Sequence, residues 1–246
     1  MNNVIEKVQS NKRMRRFAAT YALIYLVISL ILNYLGTLLD LSVPPMSYLF
    51  SLMYAVLQAP FIYGFVRGVL IKDYSISKGL SAYFEIKNYP TYLIYILLNL
   101  SYEVIDSLVD MLRASDGAMG TVGNVISAVM ILLKILLNFY LIVLYFGKIY
   151  ADENDGKMSL PRIFRDFFKI LIRKPGKILA AEIFMIVFNF ASMYLALVIV
   201  AFLPENDIIK LLFTCLTSVQ FGLITWTWPI YYLYYKDICD SIEDLD

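Results

Sequence analysis

Four ionisable groups and two amides fall inside stretches of sequence that are otherwise long and apolar. Asn99, Glu103, Asp106 and Asp110 are spaced 4, 3 and 4 residues apart, which places all four on one face of a helix. Leu100, Val104, Ile105, Leu108, Met111 and Leu112 occupy the other side. Lys134 stands near the middle of the next apolar stretch, and Asn138 follows one turn later. Such groups can pair with one another, bind a solute or ion, or pass protons, and ionisable side chains inside membrane helices mark pathways of that kind. A lysine at the centre of a membrane helix costs about 2.5–3.5 kcal/mol on insertion scales, so a partner that offsets the cost is expected.

Depth nominates the partner. If one helix ends near Leu112 and the next begins near Gly123, residues at equal depth have numbers summing to about 235. Lys134 is then level with Ser101, within one turn of Glu103 and close to Asn99. The expected pair is Lys134 with Glu103, with Asp106 next in reach. Three readings of the cluster stay open. It is a buried pair that fixes helix register, a solute, ion or proton site, or an amphipathic extension, Glu103 to Asp110, that emerges into water on the outer side.

No catalytic set accompanies these residues. The chain has no histidine, which removes the commonest general base and metal ligand. Cys215 and Cys239 have neither metal nor redox spacing. There is no phosphate-binding glycine loop and no nucleophile motif. A hydrolase built on Asp106 and Asp110 alone would need both carboxylates from one helix, without the motifs that accompany such chemistry. The expectation is a protein that is not an enzyme and uses no metal or cofactor.

The helices that must position the cluster are visible in the composition. Of 246 residues, 60% are hydrophobic and 17% charged, with mean hydropathy +0.69. A soluble domain would have roughly 45–50% apolar and about 25% charged residues. The excess gathers in six stretches, 17–39, 47–66, 90–112, 125–147, 178–203 and 211–235. Each approaches or exceeds the roughly 20 residues that cross a hydrocarbon core. The chain therefore reads as an all-α polytopic membrane protein, a single integral membrane domain over 1–246. Its six transmembrane helices form three hairpins, with amphipathic interfacial helices on the cytoplasmic side. A cytosolic enzyme and a secreted disulfide scaffold are excluded, and a net charge of +1 suggests no nucleic acid partner. The first stretch is too long for a signal peptide and lacks a small-residue cleavage site, so it is expected to be retained.

Basic residues set the orientation. Segments 1–16, 67–89, 148–177 and 236–246 carry 18 lysines and arginines, whereas the opposite connections carry Arg113 and Lys210. Both termini are expected in the cytoplasm.

Segment 159–173 sets Leu160, Phe164, Phe167, Phe168 and Leu171 against Arg162, Arg165, Asp166, Lys169 and Arg173, which are opposite faces of one helix. It is too short to span. Lying in the interface, it would turn Arg162, Arg165, Lys169 and Arg173 towards anionic lipid head groups. Segment 76–88 repeats the design more weakly, with Ser75 as its N-cap, and Val4, Ile5 and Val8 suggest a third copy. Three spans also end alike, in Phe65-Val66-Arg67, Phe146-Gly147-Lys148 and Tyr234-Tyr235-Lys236. The chain thus reads as three parallel copies of interfacial segment, helix, helix, although aromatic belts and inner-side charges produce similar endings in any bundle.

The pattern resembles bacterial membrane-protein families of uncharacterised function. These families are related to the multi-span membrane domain attached to some glycerophosphodiester phosphodiesterases. Pro60 to Arg67 with Ser75–Phe84 carry the resemblance, as do Tyr145 to Asp152, Ser159–Phe168 and Lys174-Pro175-Gly176-Lys177. It implies a six-span fold in a bacterial plasma membrane and lends no activity, because the phosphodiesterase's catalytic domain is absent.

Smaller features complete the expectations. Ser51, Ala55, Ala59 and the Gly64-x-x-x-Gly68 row suit helix packing. Glu182 is expected to reach the cytoplasmic surface or pair with a neighbouring basic residue. Trp226, Trp228, Tyr231, Tyr232, Tyr234 and Tyr235 form an interface belt. The function these features suggest is a non-enzymatic scaffold, assembly or accessory protein of the membrane, with lipid and a membrane protein as partners. The alternative is a small permease-like protein with its polar site around Lys134 and Glu103.

Overall fold

A computed structural model describes residues 2–38, 46–113, 118–154, 156, 157, 159–201, 229–238 and 240. Nearly all of these are helical, and none lies in a strand. The helices are α1 (Asn2–Ser10), α2 (Lys12–Leu38), α3 (Met46–Ile71), α4 (Ile76–Leu80), α5 (Tyr89–Arg113), α6 (Ala118–Glu153), α7 (Leu160–Arg173) and α8 (Pro175–Ala201). Segment 229–238 is also helical. Four stretches, Lys12–Gly36, Tyr48–Ile71, Ile86–Arg113 and Thr121–Glu153, are long and apolar enough to cross a membrane. α8 covers most of the fifth predicted span. Most of the sixth, with Lys210, Cys215, Trp226 and Trp228, lies outside the described residues.

The helices run past the apolar stretches that announced them. α2 starts at Lys12 because the Asn11 side chain accepts a 3.0 Å hydrogen bond from the Met14 N–H, as an N-cap does. α3 continues to Ile71 and α6 to Glu153. Hydropathy stops where charge begins, whereas helical hydrogen bonding does not. On α2, Leu23, Val27 and Ile31 are exposed, as are Leu93, Leu97, Val104 and Leu108 on α5 and Val122, Val125, Val129 and Leu132 on α6. Stripes of large exposed aliphatic side chains at helical spacing suit contact with lipid.

The chain divides into two compact units. The first comprises 1–40, 64–81 and 170–246. Its aromatic centre joins Phe17, Tyr21 and Phe65, with the Phe17 and Phe65 rings 5.5 Å apart and those of Tyr21 and Phe65 5.2 Å apart. Here the C-terminal part of α3 meets α4 at two glycines. A Cβ on Gly64 would stand 2.1 Å from the Gly79 carbonyl oxygen, so the two backbones touch. Gly68 in turn gives room to the Phe17 ring. The packing role expected of the Gly64-x-x-x-Gly68 row has these as its contacts.

The second unit comprises 41–63 and 82–169. Its α5 and α6 lie along each other, with Tyr102, Val109 and Met130 buried between them and Ile126 and Leu137 against that core. α7 packs on α6 through Phe167, whose ring is 5.1 Å from that of Phe139, and through Ile163, which sits against Gly147.

Two local expectations are corrected. Segment 76–88 is not one amphipathic helix. α4 stops after five residues and gives way to two 3-10 turns, Ser81–Phe84 and Ile86–Asn88. Arg67 and Ser81 both donate to the Lys78 carbonyl oxygen, giving that acceptor side-chain partners at the helix end. Ser75 occupies the N-cap position of α4 but makes no capping hydrogen bond; its Oγ lies 3.0 Å from Ser77 Oγ instead. Pro60, by contrast, sits inside α3 without ending it. A proline removes one helical donor and crowds the preceding turn. The acceptor it deprives is the Val56 carbonyl, whereas the phenols that reach this stretch bond its neighbours, Tyr83 Oη donating to the Leu57 carbonyl at 2.6 Å and Tyr145 Oη to that of Ala59 at 3.0 Å.

Candidate functional site

The α5–α6 register fits the depth expectation. Arg113 Nε donates to Asn124 Oδ1 at 3.3 Å, and Gly123 abuts the Arg113 backbone. Eleven residues back along α5 and ten further along α6, the Lys134 ammonium stands 4.3 Å from the centroid of the Tyr102 ring. The level is therefore within one residue of that predicted, but the partner differs. Among the described residues Lys134 makes no ion pair with Glu103 or Asp106. The reason is angular: residues 95, 102 and 109 recur every seven positions, and all three are buried, so Tyr102 rather than Glu103 points along the seam. A ring face attracts a cation by about 0.5–1 kcal/mol at an exposed position, so it offsets only part of the insertion cost.

The other members of the cluster form a stripe beside that seam. Asn99, Glu103 and Asp106 are half-buried, Asp110 is exposed, and Asn138 is half-buried on α6. Asn99 donates to the Tyr95 carbonyl at 2.8 Å, and Asp110 pairs with Arg113 at 3.3 Å. Lys134 itself is exposed. The structure thus brings Lys134 to Tyr102, and among the described residues no carboxylate forms an ion pair with the ammonium. The buried contact between the two helices is made by Tyr102, Val109 and Met130.

The basic helix has three arcs. Ile163, Phe167 and Ile170 are buried. Phe164, Phe168 and Ile172 are exposed at four-residue spacing. Arg162, Arg165 and Arg173 are exposed on the remaining side, with Lys169 half-buried. Asp166 lies 3.7 Å from both Arg162 and Arg165, one carboxylate between two guanidinium groups.

Two polar clusters escaped the sequence reading. In the second unit, Asp152 accepts a hydrogen bond from Lys148 one turn earlier and another, at 3.2 Å, from Tyr63 Oη, while Lys87 Nζ stands 3.5 Å away. Lys148 is 7% exposed, so its burial is compensated by this carboxylate. In the first unit, Glu182 is 3% exposed and accepts hydrogen bonds from Tyr231 Oη at 2.5 Å and Tyr235 Oη at 2.7 Å. Glu182 therefore does not reach the surface as expected. Tyr231, Tyr232 and Tyr235 are likewise buried rather than set in an interface belt. The signal for the second cluster was present in the i, i+4 spacing of Tyr231 and Tyr235, which puts two phenols on one face.

The fold defines an all-helical protein with helices able to cross a membrane, and the clusters above are polar contacts inside or beside those helices. Comparison with known proteins adds no relative: no family model, no curated protein and no solved structure matches the chain.

Proposed function

We propose that the chain is a multi-span protein of the bacterial plasma membrane that works as a non-enzymatic scaffold, assembly or accessory protein. Six spans as three hairpins complete the plan, with α8 as the fifth span and 211–235 as the sixth. The basic surface faces the cytoplasm and rests on anionic lipid. The observation that carries this reading is the three-arc surface of α7. One apolar arc is occupied by the protein's own side chains, a second is open, and the third is basic, with Asp166 the carboxylate beside Arg162 and Arg165. A helix so divided suits the boundary between acyl chains and head groups.

The test replaces Cys215 and Cys239 by serine and attaches a polarity-sensitive fluorophore at Phe168→Cys or Arg165→Cys. In vesicles containing phosphatidylglycerol, a dye at 168 should shift to the blue and resist aqueous quenchers, whereas one at 165 should do neither. Equal quenching at both positions would remove the interfacial helix and the reading with it.

A permease-like protein is the second reading, supported by the half-buried stripe of Asn99, Glu103 and Asp106 beside the seam. It expects Glu103→Gln and Asp106→Asn to change proton or solute flux in proteoliposomes while leaving the melting temperature in place. The scaffold reading expects no flux to change.

A further inference from the structure

The first unit contains a cleft of about 560 Å³ where the start of α2 meets the turn between α3 and α4. Arg13 and Arg16 enter from α2 and Lys72 from the turn, with the hydroxyls of Thr20 and Ser75 and the ring of Phe17 completing the wall. The volume falls within the usual range for small-molecule sites. Asp73 also lines it, but its carboxylate is held by Lys78 at 2.6 Å. Among the described residues Arg13, Arg16 and Lys72 have no carboxylate partner, so three cations converge on one open space.

Two further observations say what the space is for. The first turn of α2 carries no acidic residue, and its basic side chains stand at the positive end of the helix dipole, where an anion would be stabilised. Lys72 has φ 60°, the left-handed region that glycine or asparagine adopts with less strain. Glycine is the common residue at that place after a helix. A lysine in that conformation places a cation on the cleft at a cost in backbone strain.

The geometry points to a binding site for a phosphate group between Arg13, Arg16 and Lys72. Guanidinium forks match phosphate oxygens in pairs, and the lysine adds a point charge. Ile76 places apolar surface beside the cations, as the acyl-chain end of a phospholipid requires and a free phosphate does not. The lipid source rests on the proposed inner-leaflet position of this face; the phosphate chemistry does not.

The experiment uses the full chain in a neutral detergent, with lipid retention read by native mass spectrometry. The probes are phosphatidylglycerol, phosphatidylcholine and inorganic phosphate. Phosphatidylglycerol should be retained at one copy in preference to phosphatidylcholine. Arg16→Gln and Lys72→Gly should each weaken its retention about tenfold, the scale of one charged hydrogen-bonding partner lost. Lys72→Gly separates binding from folding, because it relieves the backbone and should leave the melting temperature equal or higher. The pair Arg162→Gln and Arg165→Gln on α7 should leave this single copy in place. Retention unchanged in Arg16→Gln and Lys72→Gly overturns the site. If only the α7 pair lowers it, the cleft is overturned while the α7 reading survives. Displacement of the lipid by an equal concentration of inorganic phosphate would keep the site and overturn its lipid occupant.

Discussion

Asp152 is the residue on which the second unit's inner polar contacts converge, because one carboxylate answers Lys148, Lys87 and Tyr63. Asp152→Asn leaves a buried ammonium without its counter-charge, and we expect a loss of about 3 kcal/mol. Lys87 is 59% exposed, so Lys87→Met should cost less than about 1 kcal/mol. Chemical denaturation in mixed detergent measures both, and a Lys87→Met loss as large as that of Asp152→Asn would show that Lys87, rather than Lys148, carries the contact. Tyr83 carries a pH dependence. Burial pushes its phenol up from 10.0 to about 12. The protonated form is the one that donates to Leu57, so the folded state favours it. The resulting stability is complete below pH 10 and is lost as pH rises through about 12. Tyr83→Phe should lower stability by about 1 kcal/mol at neutral pH. Melting curves from pH 8 to 12 should show the variant's deficit shrinking with pH, and a deficit that grows would contradict the assignment. None of this was legible beforehand. In the sequence Lys87 is one basic residue among the inner-side charges and Lys148 marks the end of a span, and a loop tyrosine carries no sign of the distant carbonyl it reaches.

At the scale of elements, the α5–α6 hairpin was readable in level but not in azimuth. Equal depth follows from a short connection and a fixed rise per residue. Whether residue 102 or 103 faces the partner is a rotation of about 100°, and it is decided by which row buries best. Tyr95, Tyr102 and Val109 win that competition, leaving Glu103 at the side. A double-mutant cycle tests the distinction. Lys134→Met loses a cation–ring contact of about 0.5–1 kcal/mol but avoids a larger insertion cost, so it should be neutral or stabilising. Combined with Glu103→Leu, the effects should add within about 0.5 kcal/mol, as expected of two residues that form no ion pair. A coupling above about 1 kcal/mol, measured by melting in detergent, would restore the Lys134–Glu103 pair. α7 was the opposite case. Its polar and apolar rows were clear enough to give the helix from sequence alone, 159–173 expected and Leu160–Arg173 found. The weaker 76–88 pattern broke into short pieces: α4 ends at Leu80, where Arg67 and Ser81 bond the Lys78 carbonyl, and two 3-10 turns follow.

For the whole molecule, composition was the strongest message, and the four helices long and apolar enough to cross a membrane agree with it. Charge was read more coarsely. An excess of basic residues indicates a side of the membrane, but it does not distinguish Lys148, buried against a carboxylate, from Arg13, open on a cleft. Both scaffold and lipid contact depend on the sidedness of that basic surface. The most direct measurement is therefore the labelling of single cysteines by a membrane-impermeant maleimide, in the chain whose Cys215 and Cys239 are serine. Arg113→Cys should react in intact bacterial cells. Arg165→Cys and Lys78→Cys should react only after the membrane is opened. Labelling of position 165 or 78 in intact cells, or protection of 113, would contradict an inner basic surface.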